Sequence, residues 1–225
     1  HKGIVNALAL ATDGTLYSAS EDTTIRVWRR GKHKATLSGH TSSVVSLAVT
    51  PDLTLYSGSW DKTIRSWKQD GRREFVLKGH EGVVWTLLAS QENELVFSGS
   101  IDKTVRIWSS RSGQCLWIMK GHSDWVRDLT FAPNGIVVSA SYDMSTCGWS
   151  VDEDTEEWVC NGIFNDIDGF ANSVSCGKDG VLCIGTSRGT IEKWSTNTGK
   201  FLETLNGHRS SVFSVAHFEG HIVSA

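Results

Sequence analysis

The segment Ser57-Gly58-Ser59-Trp60-Asp61-Lys62-Thr63-Ile64-Arg65-Ser66-Trp67 returns in altered form along the whole chain. Its relatives run from Ser18 to Trp28, Ser98 to Trp108 and Ser139 to Trp149, with a decayed copy from Gly185 to Trp194. The closing tryptophans, Trp28, Trp67, Trp108, Trp149 and Trp194, are 39, 41, 41 and 45 residues apart. A fixed period near forty means that each unit is one supersecondary module that buries itself against its neighbours. An unbroken repeat over 225 residues argues for one body rather than two.

Laid over one another, the copies separate fixed positions from free ones. Each opens with Gly-His, at 39–40, 79–80, 121–122 and 207–208, and His1 stands for a fifth pair. Four residues after the His there is a Val (5, 44, 84, 126, 212), and seven after it Leu8, Leu47, Leu87, Leu129 or Val215. A turn follows at Thr12-Asp13-Gly14, Thr50-Pro51-Asp52 or Ala132-Pro133-Asn134-Gly135, clusters that signal a hairpin between apolar runs. A second short strand ends in Ser-x-Ser, with a tight turn at Asp22, Asp61, Asp102 or Asp143. The third strand, of the type Thr-Ile-Arg-x-Trp, is β-branched and alternating. A weaker fourth is expected at Lys34–Leu37, Phe75–Leu77, Cys115–Met119 and Phe201–Leu205. Four short antiparallel strands per unit make one blade of a propeller, so the fold class is all-β.

Gly-His, followed about 20 residues later by Ser-x-Ser-x-Asp-x-Thr-Ile-Arg-x-Trp, resembles the WD40 repeat over essentially the whole chain. The eponymous Trp-Asp is missing: the five closing tryptophans are followed by Arg, Lys, Ser, Ser and Ser. The resemblance implies units at about 1–38, 39–78, 79–120, 121–165, 166–206 and an incomplete 207–225. It also implies that these five and a half blades are part of a longer, usually seven-bladed, ring.

Bulk properties narrow the classes of function. Hydrophobic residues, 39% of the chain, come in short runs that cannot span a bilayer, and the first residues carry no signal-peptide pattern. The net charge of −3 hides an asymmetry: residues 1–150 hold 17 Lys and Arg against 14 Asp and Glu, and 151–225 hold 5 against 11. A local positive patch fits the first part, but nothing suggests general affinity for nucleic acid. The five cysteines (115, 147, 160, 176, 183) lack Cys-x-x-Cys spacing and read as reduced, mostly buried thiols of an intracellular protein, cytoplasmic or nuclear.

Three sets, His40/Ser59/Asp61, His80/Ser100/Asp102 and His122/Ser141/Asp143, have the composition of a hydrolase triad. Nucleophilic catalysis needs one exposed, activated Ser beside an oxyanion hole, whereas this trio recurs once per unit. The resemblance implies a buried hydrogen-bond chain from indole to Ser to His to Asp. Trp67 would donate to Ser59 or Ser57, then His40, then Asp61; Trp108, Trp149 and, with Asp22, Trp28 would head the others. The fifth unit departs from this pattern, because Arg188 replaces the turn Asp and Ile167 falls near the place of the His, leaving Trp194 without the chain. His217 and His221 have half a zinc spacing, but Phe218-Glu219-Gly220 between them reads as a turn. The run Asp152-Glu153-Asp154-Thr155-Glu156-Glu157 reads as a solvated loop between the third and fourth strands of the fourth unit, or as a docking site for a basic partner. No metal and no cofactor is expected.

The positions left free by the internal alignment carry the functional signal. Directly before the turn Asp stand Glu21, Trp60, Ile101 and Tyr142, with Ser187 in the fifth unit. Five residues after the His stand Asn6, Val45, Trp85, Arg127 and Phe213, with Asn172 as the fifth-unit equivalent; three after it stand Ile4, Ser43, Val83, Trp125 and Ser211. The resemblance places them on the rim of a top face, and Trp, Tyr and Arg are the types enriched in binding hot spots. The expectation is a non-catalytic scaffold that binds a peptide or protein surface through Trp60, Trp85, Ile101, Trp125, Arg127, Tyr142 and Phe213. The alternative is the recognition module of a larger enzyme, a ubiquitin ligase or kinase, whose catalytic part lies outside these residues.

Overall fold

The computed structural model describes residues 1–69, 72–90, 92, 94–133, 135–164, 167–218 and 220–225, the side chains of residues 73, 163 and 164 excepted. Asn134 and Glu219, within two of the expected turns, lie outside the described residues. The chain is all-β, and among the described residues there is no helix, hence none long and apolar enough to cross a membrane.

Five four-stranded antiparallel meanders and one two-stranded ribbon follow in chain order, which amounts to about five and a half propeller blades. The first blade runs β1 (Val5–Leu10), β2 (Leu16–Ser20), β3 (Ile25–Arg29) and β4 (Lys32–Leu37). The second is β5 (Val44–Val49), β6 (Leu55–Ser59), β7 (Ile64–Trp67) and β8 (Arg73–Leu77), and the third β9 (Val84–Ala89), β10 (Leu95–Ser100), β11 (Thr104–Ser109) and β12 (Cys115–Lys120). Next come β13 (Val126–Phe131), β14 (Val137–Ser141), β15 (Thr146–Val151) and β16 (Trp158–Phe164), then β17 (Ala171–Cys176), β18 (Val181–Thr186), β19 (Thr190–Ser195) and β20 (Phe201–Asn206). The ribbon is β21 (Val215–Phe218) with β22 (His221–Ser224). The weak fourth strands are longer than expected by up to two residues at either end. The acidic run falls between β15 and β16, as a loop.

Two compact units divide the chain: His1–Asp102 with Arg106–Ile118, and Lys103–Val105 with Met119–Ala225. Within the first, Ala19, Ile25, Leu37, Val44, Leu55 and Trp67 form the core between the first two blades. Ile64, Leu77, Val84, Val96 and Trp108 do the same for the second and third. Within the second unit, Val138, Ala140, Ala171, Leu182 and Ile184 join the fourth and fifth blades, and Cys183, Val212 and Val215 seat the ribbon on the fifth.

The fixed Val of the repeat, and the Gly or Ala of the second strand that it meets, have a steric cause. A Cβ on Gly58 would stand 2.8 Å from Val84 Cγ1, and one on Gly185 the same distance from Val212 Cγ1. The first strand of these blades thus presses its Val into the second strand of the blade before it, where only a small residue fits. Val44, Val84, Val126 and Val212 are fully buried, whereas Val5 on β1, with no preceding blade among these residues, is 46% exposed. The Gly of Gly-His is also set by close approach: a Cβ at Gly39, Gly79 or Gly121 would come within 3.0–3.2 Å of the indole of Trp67, Trp108 or Trp149.

One expectation is corrected. Cys147 and Cys160 form a disulfide, Cα atoms 6.0 Å apart, and only Cys115, Cys176 and Cys183 are free. Strands β15 and β16 pair so that Cys160 faces Trp149, two residues along the same face from Cys147, and a bulge between Gly148 and Trp149 brings the sulfurs together. Sequence spacing does not reveal such a register.

Candidate functional site

Each of the first four repeats closes on a polar hydrogen-bond chain, buried in the second, third and fourth. Trp67 Nε1–H donates to Ser57 Oγ at 2.9 Å, Ser57 Oγ lies 2.8 Å from His40 Nε2, and His40 Nδ1 lies 2.7 Å from Asp61. Trp108, Ser98, His80 and Asp102 repeat this at 2.8, 2.7 and 2.7 Å. Trp149, Ser139, His122 and Asp143 follow at 2.8, 2.7 and 2.9 Å, and Trp28, Ser18, His1 and Asp22 at 2.9, 2.8 and 2.9 Å. A neutral imidazole protonated on Nδ1 satisfies every link: the indole donates to the hydroxyl, the hydroxyl to Nε2, and Nδ1–H to the carboxylate.

The relay hydroxyl is therefore the first Ser of Ser-x-Ser and not Ser59, Ser100 or Ser141. Register explains the shift. Leu55 pairs with Trp67 and Ser57 with Arg65, which puts the indole beside Ser57, while Ser59 lies beyond the last pair, Gly58 with Ile64. Ser59 instead accepts the N–H of Asp61 at 3.0 Å and donates to the Ser42 carbonyl at 3.2 Å. Ser141 does the same with Asp143 N–H and Asp124 O, and Ser100 accepts the N–H of Asp102.

The turn Asp has a second task. Lys62 sits at φ 67°, a left-handed conformation that is costly for a residue with a side chain. Asp61 pins the turn by accepting Thr63 N–H at 3.0 Å and Thr63 Oγ1 at 2.6 Å. Burial acts to raise the Asp61 carboxyl, but His40, Thr63 and the Thr41 N–H outweigh it and hold the group far below the ordinary carboxylate range. Asp143 is held low in the same way by His122, Ser145 and the Ser123 N–H. Desolvation pulls the His80 imidazole below its ordinary value, against the partial opposition of Asp102.

The fifth blade replaces the whole assembly. Ile184 stands where the relay Ser would be and Ile167 where the His would be, both buried. Trp194 is not left without a chain, as expected, but donates its indole N–H to Glu192 at 3.1 Å. Glu192, itself buried, also accepts the Asp168 N–H at 2.8 Å, and Arg188 pairs with Asp168 at 3.0 Å. With no turn Asp to hold a strained residue, the left-handed position is taken by Gly189.

The free positions of the repeat prove to be two structural classes. Asn6, Val45, Trp85, Arg127 and Asn172 are the residues skipped by the register between the first and second strands, that is, one β-bulge per blade. A bulge re-aims a side chain without altering the ladder on either side. Two bulges serve packing: Asn6 donates to the Val44 carbonyl and the buried Asn172 to the Val212 carbonyl of the next blade. The remaining two sets of free positions form the second class, tied to each other by main chain. Glu21, Trp60, Ile101, Tyr142 and Ser187 donate their N–H to the carbonyls of Ile4, Ser43, Val83, Trp125 and Phe170 at 3.0–3.1 Å.

The first unit brings together Trp60, 51% exposed, and the half-buried Trp85, with centroids 6.4 Å apart. Ile101 is half-buried. In the second unit Trp125 stacks on Tyr142 at 5.5 Å, and Tyr142 on Phe170 at 4.9 Å. The Arg127 guanidinium lies 5.1 Å from the centre of the Tyr142 ring. Phe213 is exposed with no ring partner among the described contacts. Phe170, 41% exposed, was missed by sequence reasoning. It occupies the place three residues after Ile167, so counting from that Ile as from a His would have found it. His217, paired with Ser175 Oγ at 3.1 Å, and His221 lie on different strands, and no group of three or more potential metal ligands occurs among the described residues.

The profile described as "WD domain, G-beta repeat" matches residues 1–29, 31–68, 71–109 and 113–150. The chain is similar to a Lissencephaly-1 homolog of Caenorhabditis briggsae, 31% identical over 47% of this chain and 27% of that protein. It is also similar to MST50-interacting protein 11 of Pyricularia oryzae, 32% identical over 43% of this chain and 31% of that protein. Mitochondrial division protein 1 of Eremothecium gossypii is 27% identical over 90% of this chain. The matches span about 27–31% of the length of these relatives. On the repeat motif, the blades it builds and the matched profile, this chain belongs to the WD40 repeat family.

Proposed function

We propose that the chain is a non-catalytic interaction module that holds a peptide or protein surface on its exposed aromatic positions. The observation that carries this reading is the ladder of Trp125, Tyr142 and Phe170. Three successive rings come from positions that the repeat does not fix, and both end members are more than a third exposed. Rings pre-stacked in this way lose little side-chain entropy on binding and offer large apolar area with polar edges. Arg127 adds a cation beside them, and Trp60 with Trp85 supplies a second cluster in the other unit.

Hydrolysis by the Ser, His and Asp sets is disfavoured by their burial. Ser57, Ser98 and Ser139 are wholly inaccessible, and each hydroxyl already accepts an indole N–H, so no scissile carbonyl reaches it. The name of one relative, MST50-interacting protein 11, accords with a binding role.

A selection of displayed peptides against the full chain tests the proposal. Selected peptides should lose at least tenfold in affinity to Trp125→Ala or Phe170→Ala, with the melting temperature of both variants within a few degrees of the parent. Equal affinity for parent and variants would reject the aromatic ladder as the binding surface.

A further inference from the structure

The hairpin joining β3 to β4 carries Arg29, Arg30, Lys32 and Lys34 within six residues. Together with Asp13 and Gly14 they line one cleft of about 580 Å3. Arg29 is anchored, its Nε–H on Thr15 Oγ1 at 2.9 Å and its Nη2–H on Asp13 at 3.2 Å. Among the described residues Asp13 is the one carboxylate lining the cleft, and it is already engaged, since it also takes Thr15 N–H and Gln69 Nε2–H. Arg30, Lys32 and Lys34 are exposed and have no hydrogen-bond or ion-pair partner among the described residues.

The repeat supplies an internal comparison. At the equivalent hairpin of the second blade Lys68 pairs with Glu74 at 3.0 Å, and in the third blade Arg111 pairs with Glu94. The fourth blade has the acidic run from Asp152 to Glu157, and the fifth has Thr196-Asn197-Thr198-Gly199. The fold therefore does not require cations at this turn; among the described residues, the first blade sets four of them around one concavity.

We infer that this cleft binds a compact polyphosphate anion, a site separate from the aromatic ladder. Three unneutralised cations and one oriented guanidinium in a cleft of this size match a small, multiply charged ligand better than a flat protein surface. Guanidinium forks take phosphate oxygens in pairs, and Lys32 and Lys34 supply point charges beside them. The same phosphate chemistry is offered by a free polyphosphate or by a phosphorylated lipid headgroup.

The test uses the full chain. Tripolyphosphate is titrated calorimetrically, and vesicles of phosphatidylcholine with or without phosphatidylinositol bisphosphate are used in flotation. Binding to tripolyphosphate alone assigns a soluble ligand; retention only on the phosphorylated vesicles assigns a headgroup; both support the site. The triple variant Arg30→Glu, Lys32→Glu, Lys34→Glu should weaken binding at least tenfold without lowering the melting temperature, because these side chains hold no described bond. The control pair Lys200→Glu, Arg209→Glu should leave it unchanged. Binding to neither probe, undiminished binding by the triple variant, or tighter binding of a poly-glutamate peptide than of tripolyphosphate each overturns the inference.

Discussion

Glu192 takes the indole N–H of Trp194 at 3.1 Å, the bond that in four other blades ends on a serine hydroxyl. One blade has thus exchanged a four-member relay for two isoleucines and a carboxylate while keeping its tryptophan in place. The donor is the constant, because a half-buried indole N–H left without an acceptor is costly whichever residue supplies one.

Removing that acceptor should cost the fifth blade more than a surface change would. Glu192→Leu deprives both Trp194 N–H and Asp168 N–H of this partner and is expected to destabilise by about 2 kcal/mol. Glu192→Gln keeps a carbonyl oxygen for one of them and should lose about half as much. Urea denaturation of the three proteins checks this; equal stability of parent and Glu192→Leu would mean that the bond contributes nothing.

The two serines of Ser-x-Ser should be unequal. Ser139→Ala orphans Trp149 Nε1–H and leaves His122 Nε2 without its donor, deep in the blade, for an expected loss of about 2–3 kcal/mol. Ser141→Ala removes an acceptor for the Asp143 N–H at the turn and a bond to the Asp124 carbonyl, for about 1 kcal/mol. If Ser141→Ala proves the more damaging, the relay does not run through Ser139.

Stability should fall on acidification in two stages. Burial lowers the folded-state affinity of His80 for a proton, so the unfolded chain binds protons first as pH drops through the ordinary histidine value of 6.5. Asp61 and Asp143 are depressed in the folded state, so their contribution is complete above the unfolded carboxylate value and is lost as pH falls from about 4 toward their folded values. Both effects have the same sign. Denaturation midpoints measured from pH 8 to pH 3 should decline throughout, with the steeper loss below about pH 4; a midpoint that rises between pH 8 and pH 6 would contradict the assignment of His80 as a neutral buried group.

The order of strands and the Trp, His and Asp of the polar chain were legible because they repeat. A core position that recurs four times in one chain identifies itself, as Val44, Val84, Val126 and Val212 do. What stayed hidden depends on register. Whether Ser57 or Ser59 meets Trp67, and whether Cys147 meets Cys160, is set by which residues pair across strands, and that information is not carried by spacing along one strand. The bulges were hidden for the same reason, although their occupants had already stood out as variable. Phe170 escaped because its blade lacks the His from which the count begins.

Blade stacking should be most sensitive where second strands carry no Cβ. Gly58 faces Val84 of the next blade, and an added Cβ would stand 2.8 Å from Val84 Cγ1 and 2.9 Å from its carbonyl oxygen, with Ser46 Oγ closer still. Backbone cannot yield as a side-chain tip can, so Gly58→Ala is expected to destabilise by about 1–3 kcal/mol through overpacking. Ala19 holds the matching place of the first blade and is fully buried, so the position takes a residue no larger than alanine there. Val84→Ala in the Gly58→Ala background should recover part of the loss, while Val84→Ala alone should cost about 2 kcal/mol for the cavity it leaves. A double-mutant cycle measures the coupling. Simple additivity of the two changes would mean that the residues do not press on one another, and that the blades are held together elsewhere.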